Sequence, residues 1–504
     1  MKVNKLFADH MVLQQKKKIP VWGQAEAKAT VTVCLGNESA STTADADGSW
    51  SLELPAMEAA RDLTMTVVSG EEKLTFTDVC VGEVWLAGGQ SNMEFRMGWE
   101  QHYDEEVKTA LSRDIRCFNV AQICYPDQIK DYDYKYDNFW MTCDEKSLEQ
   151  FSAVGYYFAK ELAGNMDVPV GIINCSWGGT TACGWMDPEY LKGNAAEKWL
   201  ESDQDNWGDL SEEEALALYK SQPQMMIDRS DVLNDPFAQM AVKVSLSREE
   251  QLKMFDPNFG KMEGKVREPF ERRPGKLYEL MLKPLCPYAI AGAIWYQGES
   301  DCLFPDIYDT VMGLLVKNWR HLWEEDFPFY FVQLAPFGEW LACTSEAYPM
   351  LRSRQEVAAK TIPNAAMASI GDVGMEYDIH PKDKKTVGSR LGKIALHKTY
   401  QKTDIACEAP VAKEIRKSAD ALEICFDFAE GLTQKGEGVN ALCLYDESSH
   451  ALTSLSASVE DEKLVIRGKD IASLARVELA QTGYYEINIY NGAGIPALPF
   501  VLSL

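Results

Sequence analysis

Val84-Trp85-Leu86-Ala87-Gly88-Gly89-Gln90-Ser91-Asn92-Met93 is the stretch on which the reading of this chain turns. A short apolar run ends in two glycines, and a serine follows with helix-compatible residues behind it. The form recurs. Val168-Pro-Val-Gly-Ile-Ile173 leads into Ser176-Trp-Gly-Gly179, and Ala289 to Tyr296 leads into Gln297-Gly298. Phe327 to Val332 and Ala365 to Ile370 are two more candidate strands. Helical periodicity fills the gaps: Val154, Phe158 and Leu162 form one stripe, Tyr308 to Trp323 carries a longer one, and Val387, Leu391 and Ile394 a third. Strands apolar on both faces, alternating with helices, predict an α/β core with a parallel sheet covered on both sides.

Outward from this core the pattern changes at both ends. Residues 1–80 hold short alternating runs such as Thr30 to Val33 and Ser49 to Leu54, punctuated by Gly and Asp, which predict an N-terminal β-sandwich module. Residues 405–504 read the same way, with Leu422 to Phe428, Lys463 to Arg467 and Tyr485 to Tyr490 as strands of a C-terminal β-sandwich module. The α/β domain between them is then 81–404. A polar stretch at about 188–275, helical over Leu210 to Lys220, reads as an insertion, either shaping substrate access or serving as a solvated spacer.

Composition narrows the function. The 504 residues carry 50 basic and 77 acidic side chains, a formal charge of −27. No cationic face is evident, so nucleic acid and anionic membranes are excluded as partners. The longest apolar runs fall short of the roughly 20 residues a membrane span needs. The start, MKVNKLFADHMVLQQKKK, has no apolar leader segment, which gives a cytoplasmic expectation, or a periplasmic or secreted one if a leader precedes it. Thirteen scattered cysteines without a CxxC pair read as small buried hydrophobes.

HExxH, P-loop and GxSxG patterns are all absent. What remains are the glycine-rich strand ends, which in an open α/β sheet converge at the carboxyl edge. Ser91 after two glycines suits a nucleophile at a helix N-terminus, or a plain N-cap. Gly178-Gly179 exposes backbone N–H groups, as an oxyanion hole requires, or makes a simple turn. Gln297 offers an amide donor. The chain has six histidines, and His380, in Asp378-Ile379-His380-Pro381, is the candidate base by elimination. Pro381 could start a helix.

Together, Gly89 to Met93, Trp295 to Ser300 and Asp378 to Pro381 resemble the SGNH-hydrolase superfamily, specifically the sialate O-acetylesterase family and related carbohydrate acetylesterases. The opening Leu6 to Gln14 is also similar to that family's start. The resemblance implies an SGNH (flavodoxin-like) three-layer core. It implies Ser91 as nucleophile, His380 as base, and an oxyanion hole of the Ser91 and Gly179 N–H groups with the Gln297 amide. Gln90, Asn92, Trp177 and Glu299 are the substrate-binding candidates beside them. Many SGNH enzymes place the supporting Asp three residues before the His. Here Tyr377 holds that position and Asp378 lies two before, so either Asp378 completes a triad or a Ser-His dyad operates.

The expected reaction removes acetyl groups from sugars, sialic acid or hemicellulose fragments such as xylan and mannan, through an acetyl-serine. No metal or cofactor is implied. The competing reading is a non-catalytic carbohydrate-binding protein on a decayed core, against which intact Ser91, Gln297 and His380 stand. Trp185, Trp199 and Trp207 are candidate sugar platforms, or core. The sequence carries no signal of oligomeric state.

Overall fold

The computed structural model describes residues 1–109, 112–130, 136–221, 269–339 and 342–504. Most of the stretch read as an insertion, residues 222–268, lies outside them. The described residues form two compact units. One comprises 1–221, 269–297 and 310–329, and the other 298–309 and 330–504.

One strand organises the first unit. Glu72–Gly89 runs 18 residues. Its first half alternates in exposure, and every residue from Val79 onward is buried. The change marks the passage from a sheet with one wet face to a sheet covered on both. The first half pairs antiparallel with Ala60–Ser69, which pairs with Thr30–Leu35. A second small sheet, with Ile19–Gln24 between Lys2–Val3 and Ser49–Leu54, completes the N-terminal β region. The second half lies between Val170–Ser176 and Gly292–Tyr296, parallel to both. The expected boundary at residue 80 therefore falls inside one continuous strand, and the compact units divide elsewhere.

The central sheet is mixed. Ser112–Asn119 adds parallel to Val170–Ser176, and Trp140–Cys143 closes that edge antiparallel. Helix Ala153–Met166 buries Val154, Phe158 and Leu162, as its stripe predicts. Ser152 Oγ caps it by accepting the Gly155 N–H at 3.1 Å. Phe158 meets Trp85 edge-on, with ring centroids 4.9 Å apart. Val311, Met312, Leu315 and Trp319 of helix Tyr308–Trp323 are also buried.

The second unit contains strand Ala365–Ala368, helices Ala347–Thr361 and Lys384–Lys398, and a C-terminal β region. Val387, Leu391 and Ile394 are buried as expected. Its last helix begins at Lys384, capped by Asp383, and not at Pro381. The β region has a four-stranded sheet, Val411–Lys417, Ala421–Asp427, Lys463–Gly468 and Leu455–Glu460, a three-stranded sheet and a short pair. They enclose a core that includes Leu422, Ile424, Leu464 and Val477. Only Ile489–Tyr490 of the expected strand Tyr485 to Tyr490 joins a ladder. Beside that pair, the Asn488 amide donates to Lys435 O and Gly438 O and accepts the Asn440 N–H, while its backbone O accepts the Lys435 N–H at 2.9 Å. All thirteen cysteines are free thiols and most are buried, in keeping with the composition.

Gly89 is where the long strand ends, at φ +136°, and a Cβ there would lie 2.2 Å from Tyr296 O. Gly89→Ala is expected to lower stability by about 2–4 kcal/mol. Gly164→Ala, in the last turn of helix Ala153–Met166 with open space around it, is expected to be neutral or stabilising by up to about 1 kcal/mol. Thermal unfolding of the two variants checks the contrast, and equal effects would contradict it.

Candidate active site

The Gln90 N–H donates to Tyr296 O at 3.1 Å, fixing the turn that follows Gly89. A single helical turn, Ser91–Glu94, follows. From Val79 to Glu100 every residue is buried except Ser91. The turn therefore lifts one hydroxyl out of an otherwise sealed segment.

The Ser176-Trp177-Gly178-Gly179-Thr180 loop lies against that serine. A Cβ on Gly178 would sit 3.2 Å from Ser91 Cβ, so glycine permits the approach. The Trp177 N–H donates to Gly89 O at 3.0 Å, and the Gly178 N–H donates to Glu94 Oε2 at 2.7 Å. Gly179 adopts φ +75°, and among the described residues no acceptor takes its N–H. Thr180 Oγ1 donates to Trp177 O at 2.7 Å and accepts the Trp185 indole N–H at 3.0 Å. Gln297 is fully buried, and its Nε2 donates to Thr180 O at 3.1 Å. Ser91, Gly179 and Gln297 thus converge on one loop, the arrangement that can attack a carbonyl and hold the oxygen that becomes negative.

Buried polar groups brace this arrangement. Ser176 Oγ donates to Asn174 Oδ1, Asn174 Nδ2 to Asn119 Oδ1, and Asn119 Nδ2 to Gln150 O, at 2.7–3.1 Å. Arg96 Nη1 donates to the same carbonyl at 2.7 Å. The sequence reading covers Ser176 within its loop segment and does not single out Asn174, Asn119, Gln150, Arg96 or Glu94. Spacing offers one signal for Glu94: it lies three residues after Ser91, on the same side of a helical turn. Arg272 was missed as well. Its Nη2 lies 3.2 Å from where a Gly179 Cβ would be, bringing a cation beside the loop.

Of the four substrate-binding candidates, Gln90, Asn92 and Glu299 are buried, and Trp177 alone keeps some exposure. Trp185, Trp199 and Trp207 are buried too, which makes them core residues and corrects their reading as sugar platforms. Trp207 packs edge-on against Phe270.

His380 lies in the second unit, in the loop between strand Ala365–Ala368 and helix Lys384–Lys398. Arg390 pins the start of the loop through Asp372 (2.6 and 2.9 Å) and Ser369 O. Asp383 pins its end by accepting the Thr386 N–H. Asp378 Oδ1 accepts the His380 backbone N–H at 2.8 Å, and Asp378 Oδ2 pairs with Lys382 Nζ at 2.6 Å. The distance from Asp378 Oδ1 to His380 Nδ1 is 3.8 Å, too long for a hydrogen bond. Asp378 thus holds the loop backbone and a lysine. Each of the other five histidines has a local partner: Asp78 for His10, Glu100 for His102, Tyr190 for His321, Ile405 O for His397 and Asp446 for His450.

Comparisons with known proteins place carbohydrate esterases among the similar chains. Residues 81–214 match the model of the family described as carbohydrate esterase, sialic acid-specific acetylesterase. The chain is 26% identical to the sialate O-acetylesterase of Mus musculus, over 81% of this chain and 75% of that protein. It is 25% identical to the Homo sapiens sialate O-acetylesterase, over 80% and 72% respectively. A solved carbohydrate acetylesterase from Xanthomonas citri shares its fold with a TM-score of 0.76 at 26% identity, covering 100% of this chain and 99% of that one.

Burial first, then the charges of Lys382 and Lys384, pushes the His380 imidazole down to about 3 from 6.5. Above pH 6.5 the ring is neutral folded or unfolded and adds no pH dependence. Between 6.5 and 3 the unfolded chain binds the extra proton, so this group destabilises the native state progressively as pH falls through that window. NMR titration is expected to find His380 neutral at pH 5, with Lys382→Met raising its pKa. An ordinary histidine titration, unmoved by Lys382→Met, would contradict the assignment of causes.

Proposed function

We propose that this chain, a carboxylic ester hydrolase that deacetylates carbohydrates and is related to the sialate O-acetylesterases, cleaves its ester through Ser91. The observation that carries the reading is the convergence of three groups on one loop. They are the single partly exposed residue of a buried segment, Ser91, a Gly179 N–H with no acceptor among the described residues, and the buried Gln297 amide.

The neutral imidazole of His380 takes the Ser91 proton, in the role its sequence block implies. Ser91 Oγ attacks the acetyl carbonyl. The N–H groups of Ser91 and Gly179 and the Gln297 amide hold the oxyanion. His380 returns the proton to the departing sugar oxygen, and water then hydrolyses the acetyl-serine by the same route. Asp378 supports this as a positioning residue: it accepts the His380 backbone N–H and is itself held by Lys382. That geometry favours the dyad form over a triad. The substrate is an acetylated mono- or oligosaccharide.

Ser91→Ala is expected to reduce acetate release from aryl acetate and acetylated xylo-oligosaccharides by at least roughly 10³-fold, with thermal unfolding unchanged. Gln297→Ala removes one oxyanion donor and is expected to cost about 10²–10³ in kcat. Acetate release that persists in the Ser91 variant would refute the serine mechanism.

A further inference from the structure

A recess of about 380 Å³ in the C-terminal β region is lined by Asn440, Ala441, Thr482, Tyr484, Tyr485 and Glu486. Small-ligand sites typically span about 300–1,000 Å³. Tyr485 is buried, and the Arg352 guanidinium lies 4.8 Å from its ring centroid. Arg352 also donates to Thr482 O and Gly483 O, which fixes the backbone of the rim. Tyr484 is half-buried, and its hydroxyl donates to Glu486 Oε1 at 3.1 Å, which holds the ring in place. Asn440 gives its backbone N–H to Asn488 Oδ1. Its exposed side-chain amide has no protein partner among the described residues.

The recess adjoins the segment that leads to His380. The Phe337 N–H donates to Gly483 O at 3.1 Å, and the next residue, Gly338, donates its N–H to Glu376 O at 3.0 Å. Two consecutive residues thus tie the recess wall to the chain four residues before His380. The Tyr484 hydroxyl is raised above its ordinary pKa by burial and by the carboxylates of Glu486 and Glu376, which agrees with that proximity.

The lining selects a ligand class. It offers an aromatic ring, an open amide and a carboxylate, and no cation. Sugar hydroxyls can donate to Glu486 and exchange hydrogen bonds with Asn440, while the apolar face of a pyranose covers the tyrosine ring. An anionic sugar would meet Glu486 without a compensating charge. We propose that this recess is a glycan-binding site that takes a neutral pyranose unit. Its capacity to bind sugar is independent of the esterase reading above.

The test is calorimetric titration of the full chain with unacetylated xylohexaose and mannohexaose. Saturable binding of at least one is expected, weakened at least about tenfold by Tyr484→Ala. Asn440→Ala, at an exposed position, weakens it less, and Tyr484→Phe retains most of it because the ring face is kept. Unfolding curves of the variants report their folding. Absence of binding to both hexasaccharides, or binding unaffected by Tyr484→Ala and Asn440→Ala, overturns the proposal. So does Tyr484-dependent binding of sialyllactose without binding of the neutral chains. Loss of the Ser91 dependence of acetate release bears on the esterase reading alone.

Discussion

The approach of Gly89 to the carbonyl of Tyr296 is the constraint on which the site depends. No side chain fits between them, since a Cβ would stand 2.2 Å from that oxygen. The next residue, Gln90, donates its N–H to the same carbonyl. Two parallel strand ends are thereby locked together, and the chain must turn sharply as it leaves the sheet. Ser91 is what the turn presents. The neighbouring strand, Val170–Ser176, delivers the Gly178-Gly179 loop, and the Trp177 N–H closes back onto Gly89 O. Position comes from the sheet, and the side chains inherit it.

The electrostatic surroundings of Ser91 and of His380 differ. The loop beside Ser91 holds donors, the Gly179 N–H and the Gln297 amide on Thr180 O, with the Arg272 guanidinium near Gly179 and the Glu94 carboxylate accepting from Gly178. Fixed donors in general need no reorganisation when negative charge develops beside them. Around His380 burial and the charges of Lys382 and Lys384 favour the neutral ring, although the Asp378 carboxylate lies 3.8 Å from Nδ1. A neutral imidazole is the form able to accept a proton. Net charge is no guide to either environment, because a chain of formal charge −27 places cations in both.

Much of the fold was legible because glycine at a strand end and apolar spacing along a helix are direct consequences of geometry. The stripes at Val154, Phe158 and Leu162 and at Val387, Leu391 and Ile394 face the core as their period requires. Three features were not legible, each for a physical reason. One strand, Glu72–Gly89, serves a one-sided and a two-sided sheet, so a change of pattern at residue 80 marked a change of neighbours and no break in the chain. Alternation over Tyr485 to Tyr490 predicts a full strand, but a strand also needs a neighbour to pair with, and only Ile489–Tyr490 has one, at Thr433–Gln434. Trp185, Trp199 and Trp207 are apolar and aromatic, properties that suit a core and a sugar platform equally, and only burial separates the two. Within the site, the bond from Gly178 N–H to Glu94 depends on a contact across the sheet edge, between residues 84 apart in sequence.

The central claim is that Ser91 carries the acyl group. Its most direct test is mass spectrometry of the chain quenched in acid during turnover of an aryl acetate. The account predicts a transient acetyl group on the peptide that bears Ser91. Full turnover with no acetylated peptide at any quench time, or acetylation at a different residue on the kinetic pathway, would contradict it.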